Sequence, residues 1–245
     1  MVENSISPFI LALKARNLTV EIHHHSAFQM VLSNDTPFDS TINGELCEKI
    51  HGFIIRPQVK HHCVAENGTL NVVNIEPYST IGLQLSSMLQ ANEDYLVFQS
   101  PVDVSSFFKL EKETFDIYTI INALLAKIPT LNYDERISLI VQYIQLNFAN
   151  QGITPQTFTD IVFLSPSRLA SLFKEQTGSS LSKYLLWTRL RQAIILTLSE
   201  KDRSLTDIAH ATGFYDQSQF NKYMYEMFGM PPKALKMNSD LIEIY

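Results

Sequence analysis

Sulfur ligands are scarce in this chain: only two of its 245 residues are cysteine, Cys47 and Cys63. A disulfide framework and a four-cysteine zinc site are thereby excluded, and a reducing cytoplasm is the expected setting. Basic charge is scarce too. Nineteen Lys and Arg stand against 25 Asp and Glu, a formal net charge of −6, which argues against a protein that coats nucleic acid along its whole length. No apolar run approaches the roughly 18 residues of a membrane helix. The first residues carry no basic n-region, and the apolar stretch from Phe9 to Leu13 is too short for a signal peptide. Missing as well are Gly-x-Ser-x-Gly, a phosphate loop and a nucleophilic cysteine motif, so neither an enzyme nor a cofactor is expected. What is present suits a folded protein of one or two domains: 45% hydrophobic and 18% charged residues, far from the composition of disorder.

The charge is uneven. Residues 1–132 hold 8 Lys and Arg against 14 Asp and Glu, residues 133–238 hold 11 against 9, and the last seven hold none against 2. An acidic front and a mildly basic back predict two domains with different tasks, 1–132 and 133–245. The front reads as strands to about residue 100: Leu18 to Ile22, Phe28 to Leu32, Gly52 to Ile55, Leu70 to Ile75 and Leu96 to Phe98. Turn signals such as Asn43-Gly44 and Asn67-Gly68 fall between them. Short strands at this spacing point to an antiparallel sandwich or barrel, with a short helix over Gly82 to Met88. From Phe107 to Ile128 the apolar period becomes three and four, which predicts a helix or helix pair. It either packs on the barrel or gives part of its stripe to a dimer interface. Pro129 to Asn132 is the expected linker, and everything beyond it reads as helical.

Two stretches of the back half look like one unit used twice. In the clearer one, Ser204 and Asp207 cap a helix, and Ala209 lets a second helix cross closely. Gly213 permits a tight turn, and Asp216 caps the next helix through Phe220, Met224 and Phe228. This is a helix-turn-helix, whose second helix enters a DNA major groove. The earlier copy has Ser165 as cap, Pro166 at the first helical position, and Leu169, Leu172 and Phe173 on the buried face. Between them, Leu181 to Ser199 reads as a single helix about 28 Å long at 1.5 Å per residue. That length is near the roughly 34 Å between successive major-groove faces.

On these residues the back half resembles the DNA-binding domain of the AraC/XylS family of bacterial transcription regulators. The resemblance runs through Ser167-Arg168-Leu169, Leu172-Phe173-Lys174 and Gly178, then Tyr184-Leu185, Arg189-Leu190 and Ala193. It continues through Ile208-Ala209, Gly213-Phe214, Asp216-Gln217-Ser218 and Phe220, and ends on Phe228-Gly229 and Pro231-Pro232. It implies base contacts from Gln217, Ser218, Gln219 and Lys222 in the second reading helix and from Ser167, Ala170 and Ser171 in the first. Gln can pair with adenine and Lys can reach guanine. Phosphate contacts are expected from Arg168, Lys174, Lys183, Arg189, Arg191 and Lys233; Arg189 has the alternative of holding the linker helix. The first copy departs from the pattern, with Thr159 for a small alanine and Phe163 at the glycine turn. A net charge of only +2 over 133–238 predicts modest counterion release.

The resemblance also implies an N-terminal cupin-like antiparallel β-barrel with flanking helices, and hence an α+β, two-domain protein. Its C-terminal all-α domain carries two helix-turn-helix motifs joined by a linker helix. The implied partners are double-stranded DNA, a small-molecule effector in the barrel mouth, a second copy in a homodimer, and RNA polymerase if the protein activates. Metal-binding cupins use His-x-His, a later Glu and a further His. Here His23 and His25 alternate onto one face and His62 is the candidate third ligand, but Gln29 stands where the Glu would be. Either three imidazoles hold a metal, the basis of a metal-dependent enzyme or metal sensor, or the histidines line a pocket.

Overall fold

The structure, a computed structural model, describes residues 9–17, 19–65, 68–112, 115–126 and 134–245. The expected linker at 129–132 lies outside these, as do Leu18, Asn67 and Ile128.

The front half forms two antiparallel sheets. The larger holds β1 (Ile10–Arg16), β3 (Phe28–Leu32), β6 (Gly52–Ile55), β8 (Thr69–Ile75), β9 (Tyr95–Phe98) and β10 (Ile242–Ile244), in the order β10-β1-β8-β3-β6-β9. The smaller holds β2 (Thr19–His23), β4 (Phe38–Ile42), β5 (Glu45–Ile50) and β7 (His61–Val64), ordered β2-β7-β4-β5. Strands β1, β3 and β8 are covered on both faces, so their residues read as continuous apolar runs rather than alternating ones. Leu11, Leu13, Val31 and Val72 point into the barrel with Phe38, Ile42 and Cys63 of the smaller sheet. Ile10, Ala12, Phe28, Met30 and Val73 point outward, under three helices. The Asn43-Gly44 signal is the two-residue turn of the β4–β5 hairpin, with φ of 52° and 87°, the positive values such a turn needs.

Those helices are α1 (Thr80–Met88), α2 (Pro101–Phe108) and α3 (Ile117–Leu125). The long apolar stripe is therefore a helix pair. Lys109, at φ 56°, ends α2, and Asp116 caps α3. Phe108, Ile117, Ile120, Ile121 and Leu124 are buried on the outer face of the larger sheet, so this stripe covers the barrel.

The back half is helical: α4 (Glu135–Asn147), α5 (Pro155–Val162), α6 (Pro166–Thr177), α7 (Leu181–Ser199), α8 (Leu205–Ala211), α9 (Gln217–Phe228) and α10 (Pro232–Met237). The chain then returns to the barrel. Strand β10 pairs with β1, Leu13 opposite Ile244 and Ala15 opposite Ile242. This C-terminal strand, which falls within the expected back domain 133–245, belongs to the front sheet. This strand covers the β1 edge, whose unpaired backbone groups invite association when left open.

Candidate nucleic-acid interface

Each helix-turn-helix is assembled by caps and a buried stripe. In the first, Ser165 accepts from the backbone N–H of Arg168 at 3.4 Å to start α6. Leu169, Leu172 and Phe173 then close a core with Ile137, Ile140, Val141, Ile144 and Phe158. In the second, Ser204 accepts from Asp207 N at 3.0 Å to start α8, and Asp216 accepts from Gln219 N at 2.7 Å to start α9. Gly213 sits at φ 87° with its α-carbon face against Arg189 Nε and the Phe148 carbonyl. An added Cβ would stand 2.8 Å from each. Glycine is needed there for backbone conformation and for space.

The reading helices α6 and α9 expose their N-terminal halves. Ser167, Arg168, Ala170, Ser171 and Lys174 are exposed on α6, and Ser218 and Lys222 on α9. The other two α9 candidates are half-exposed and partly engaged. Gln217 accepts from Thr206 Oγ1 at 2.9 Å, and Gln219 accepts from the Tyr215 backbone N–H at 3.0 Å, leaving their amide NH2 groups available. Asn221 and Tyr225 are exposed at helical spacing from Ser218 and Lys222. They complete a polar face that motif matching alone did not single out. The C-terminal ends of both helices sit on the barrel. Gly178, capping α6, lies against Pro57, and the Gly229 carbonyl, capping α9, accepts from Glu21 N at 2.9 Å.

Two of the expected phosphate ligands do other work. Arg191 is buried at 1% exposure, so it is not at the DNA surface. Its Nη2 donates to Gln145 Oε1 at 2.8 Å, and its Nε lies 3.8 Å from the equally buried Glu76 carboxylate of the front domain. At that separation the charges attract without a hydrogen bond. Burial lifts the Glu76 carboxyl to about 7. The charge of Arg191 and the nearby Tyr184 and Trp187 donors oppose the rise, although neither donor reaches it in hydrogen-bond geometry. Arg191 faced inward because α7 is buried almost all round, with Tyr184, Trp187, Leu190, Ala193 and Ile194 on several sides. Arg189 donates from Nε to the Phe148 carbonyl at 2.7 Å and from Nη2 to Asn150 O at 2.9 Å. It holds the linker helix to the end of α4. Lys183 is exposed, and its ammonium donates to Gln58 of the barrel at 2.7 Å. Lys233 is exposed beside the start of α10.

Helix-turn-helix domains as a family match residues 158–238. The transcriptional activator RhaS of Enterobacter sp. (strain 638) is 30% identical over 109 residues, which are 44% of this chain and 38% of that protein. LumQ of Photobacterium leiognathi, a probable transcriptional regulator, is 26% identical over 227 residues, 86% of this chain and 89% of its own. The C-terminal half is thus similar to the helix-turn-helix part of these transcription regulators. The likeness of this chain to its relatives is uneven. It spans little more than a third of RhaS and of YobQ of Bacillus subtilis, the latter 33% identical over 86 residues and 35% covered. The solved structure of ToxT from Vibrio cholerae shares the fold of both domains, with a TM-score of 0.59 over 94% of this chain and 98% of that one at 13% identity. No helix among the described residues is long and apolar enough to cross a membrane.

A wider space lies outside the barrel than within it. The barrel interior keeps a void of about 20 Å³ beside His23, Gln29, His61 and Cys63. A groove of about 620 Å³ instead runs between the barrel and the helical domain, where Phe158, Leu169, Tyr223 and Met227 meet Lys183 and His24.

The histidine expectation also changes. His62 is not the third member of the cluster; His61 is. Among the described residues, His23, His25 and His61 are the three that can each bring a ligand atom within 4.8 Å of the others. Along β7 the inward positions are His61 and Cys63, while His62 is half-buried on the other face. A bulge in β2 supplies the remaining shift. Val20 pairs with Cys63 and His23 with His61, three residues against two. Strict alternation from Val20 would have placed Ile22 inside, and Ile22 is 55% exposed.

Proposed function

We propose that this protein is a sequence-specific DNA-binding transcription regulator, not an enzyme, that works on double-stranded DNA in the cytoplasm. The observation that carries the reading is the pair of reading helices whose N-terminal halves are exposed, spaced by the 19-residue helix α7. Exposed polar side chains at the start of such a helix meet base edges, and helix N-termini favour phosphate. Ser218 and Lys222, with the amides of Gln217 and Gln219, supply base contacts on α9. Ser167, Ala170 and Ser171 offer shorter reach on α6, so the first helix chiefly positions the domain. Arg168 and Lys174 meet phosphates beside it, and Lys183 and Lys233 serve near the ends of the site.

The barrel biases the two reading helices through their seated C-terminal ends. A small effector in the interdomain groove bears on both at once. Homodimerisation, and contact with RNA polymerase where the protein activates, complete the reading.

Selection from random duplex DNA with the full-length protein at a stated physiological salt tests it. A site spanning about two helical turns is expected to enrich. Gln219→Ala with Lys222→Ala should weaken binding to that site by about 10- to 100-fold, each good base contact being worth about 1–3 kcal/mol. The double variant should keep the wild-type melting temperature. Absence of an enriched site overturns the reading. An unchanged footprint in the double variant overturns the assignment of those two residues.

A further inference from the structure

We propose that His23, His25 and His61 form a three-imidazole site for a divalent transition-metal ion of the Zn²⁺ class, set between the barrel and the second reading helix. The three rings converge in the fold. His23 and His61 are cross-strand partners with ring centroids 4.1 Å apart, and His25 lies 5.2 Å from His61 and 5.8 Å from His23. All three are at least 96% enclosed by protein. Each ring spends its Nδ1 on a backbone carbonyl: His23 on Glu21 at 2.8 Å, His25 on Ala27 at 3.1 Å, His61 on Val59 at 3.0 Å. A carbonyl only accepts, so Nδ1 carries the proton in every ring and Nε2 carries the lone pair. A carbonyl that accepts from the far ring nitrogen orients a metal-binding imidazole in this way.

Two of the three lone pairs have no other use. Nε2 of His25 and of His61 is buried without a hydrogen-bond partner. Leaving such an acceptor bare is unfavourable, and a bound cation removes that penalty. Burial holds the rings neutral, as ligands must be: it depresses His23 to about 4 and His25 to about 3, and it lowers His61 well below the ordinary histidine value. Nitrogens 2.0–2.1 Å from a tetrahedral ion stand about 3.4 Å apart, so closing from 4.8 Å takes side-chain shifts of about 1 Å. The void of about 20 Å³ beside His23 and His61 has room for one water-sized fourth ligand. Three nitrogens without a carboxylate favour Zn²⁺, Co²⁺, Ni²⁺ or Cu²⁺ over Mg²⁺ or Ca²⁺.

The surroundings make this site a coupling point. The His25 ring lies 5.0 Å from Trp187 of α7, and the Gly229 cap of α9 packs on His23 so closely that a Cβ would stand 2.8 Å from its Nδ1. Drawing the three rings together moves the groups on which the linker helix and the second reading helix rest. This consequence for DNA depends on the regulator reading above; the site itself does not.

The test uses the full-length protein, stripped by chelator and titrated with Co²⁺, then with Zn²⁺ in competition. About one equivalent of Co²⁺ with the visible absorption of a nitrogen-ligated four-coordinate ion is expected, displaced by Zn²⁺. His61→Gln and His25→Gln should weaken binding at least about 100-fold, beyond the about 10- to 100-fold typical of losing a group that only orients a ligand, while His62→Ala should bind as wild type does. If either Gln variant misfolds, X-ray absorption at the zinc edge of the wild-type protein reports the imidazole count directly. Substoichiometric binding, fewer than three imidazoles, or loss in His62→Ala with retention in a folded His61→Gln each overturns the site. DNA selection with stripped and Zn²⁺-loaded protein separates the rest. Enrichment in both at equal affinity overturns the coupling alone, whereas stoichiometric metal with no enrichment in either form overturns the regulator reading and leaves the site standing.

Discussion

The second helix-turn-helix shares its core with the barrel. Trp187, Leu190, Ile208, Phe214, Phe220, Met224 and Phe228 belong to the same buried cluster as Leu13, Val31 and Phe53. The first has a core of its own, from Ile137 to Phe173 and Tyr184, which the front domain enters through Tyr78. The turns differ in the same sense. Gly213 is buried, hemmed by Arg189 and Phe148, whereas Phe163 takes the corresponding left-handed conformation at φ 54° with its ring 92% exposed. The second unit is therefore packed continuously with the barrel, whereas less is packed against the turn of the first.

Gly213→Val gives the largest break in this comparison. The φ of 87° costs a substituted residue about 1–2 kcal/mol, and the overpacking against Arg189 and Phe148 adds about 1–3 kcal/mol. A loss of about 3 kcal/mol in urea unfolding of the whole chain is expected. A loss below about 1 kcal/mol would show that the second turn is as loosely held as the first.

The Glu76–Arg191 contact sharpens the tie to the barrel through pH. The folded chain keeps the Glu76 proton up to about 7, while the unfolded chain releases it near 4.5. Between those values the native state binds more protons, so this group's contribution to stability falls as pH rises and is constant above. One proton gives a slope of at most about 1.4 kcal/mol per pH unit. Melting of Glu76→Gln against wild type from pH 4.5 to 7.5 should show that slope in the wild type and its loss in the variant. Parallel curves would mean that the carboxyl titrates normally and that the contact is not desolvated.

Exchanging the crossing residues tests the packing more gently. Ala209 is fully buried, so Ala209→Thr should cost about 1–3 kcal/mol. Thr159 is 8% exposed and bonds only the Gln156 carbonyl of its own helix, so Thr159→Ala should change stability by less than about 1 kcal/mol. Equal costs at the two positions would undo the asymmetry.

These two units were legible in the sequence because caps, glycine turns and helical periods are local signals. Ser165, Ser204, Asp216 and the bounds of α7 all follow from neighbours within four residues. In the front half, β2, β3, β6, β8 and β9 carry a strand signal, but β4, β5 and β7 do not. Their exposed or mixed burial, as in Glu45–Ile50, leaves no clean period two. Strand β1 was hidden by burial on both faces, and β10 by its distance in sequence from its partner. The interface was half legible. Periodicity places Lys222 outside, but it cannot tell Arg191 from Arg189 on a helix buried nearly all round. The histidine set failed by one residue because nothing local tells which of the neighbours His61 and His62 faces inward on a four-residue strand, and a shift of one position changes the face.

Phe163→Gly is expected to have the smallest effect and bears directly on why the two turns diverged. A phenylalanine in the left-handed region carries about 1–2 kcal/mol of backbone strain that glycine removes. Glycine in turn adds unfolded-state entropy worth about 0.5–1 kcal/mol. The ring, 92% exposed, forfeits almost no burial when removed. The balance is a gain of between zero and about 1 kcal/mol in urea unfolding, opposite in sign to Gly213→Val. A loss instead would mean that the Phe163 ring is packed in solution, and that the first turn is held by a contact rather than merely tolerated. If the gain appears while selected DNA is bound as by wild type, the strain at Phe163 is unconnected with reading. The first helix-turn-helix then serves as the looser half, whose place on DNA is set by Ser167, Arg168 and Lys174 rather than by the shape of its turn.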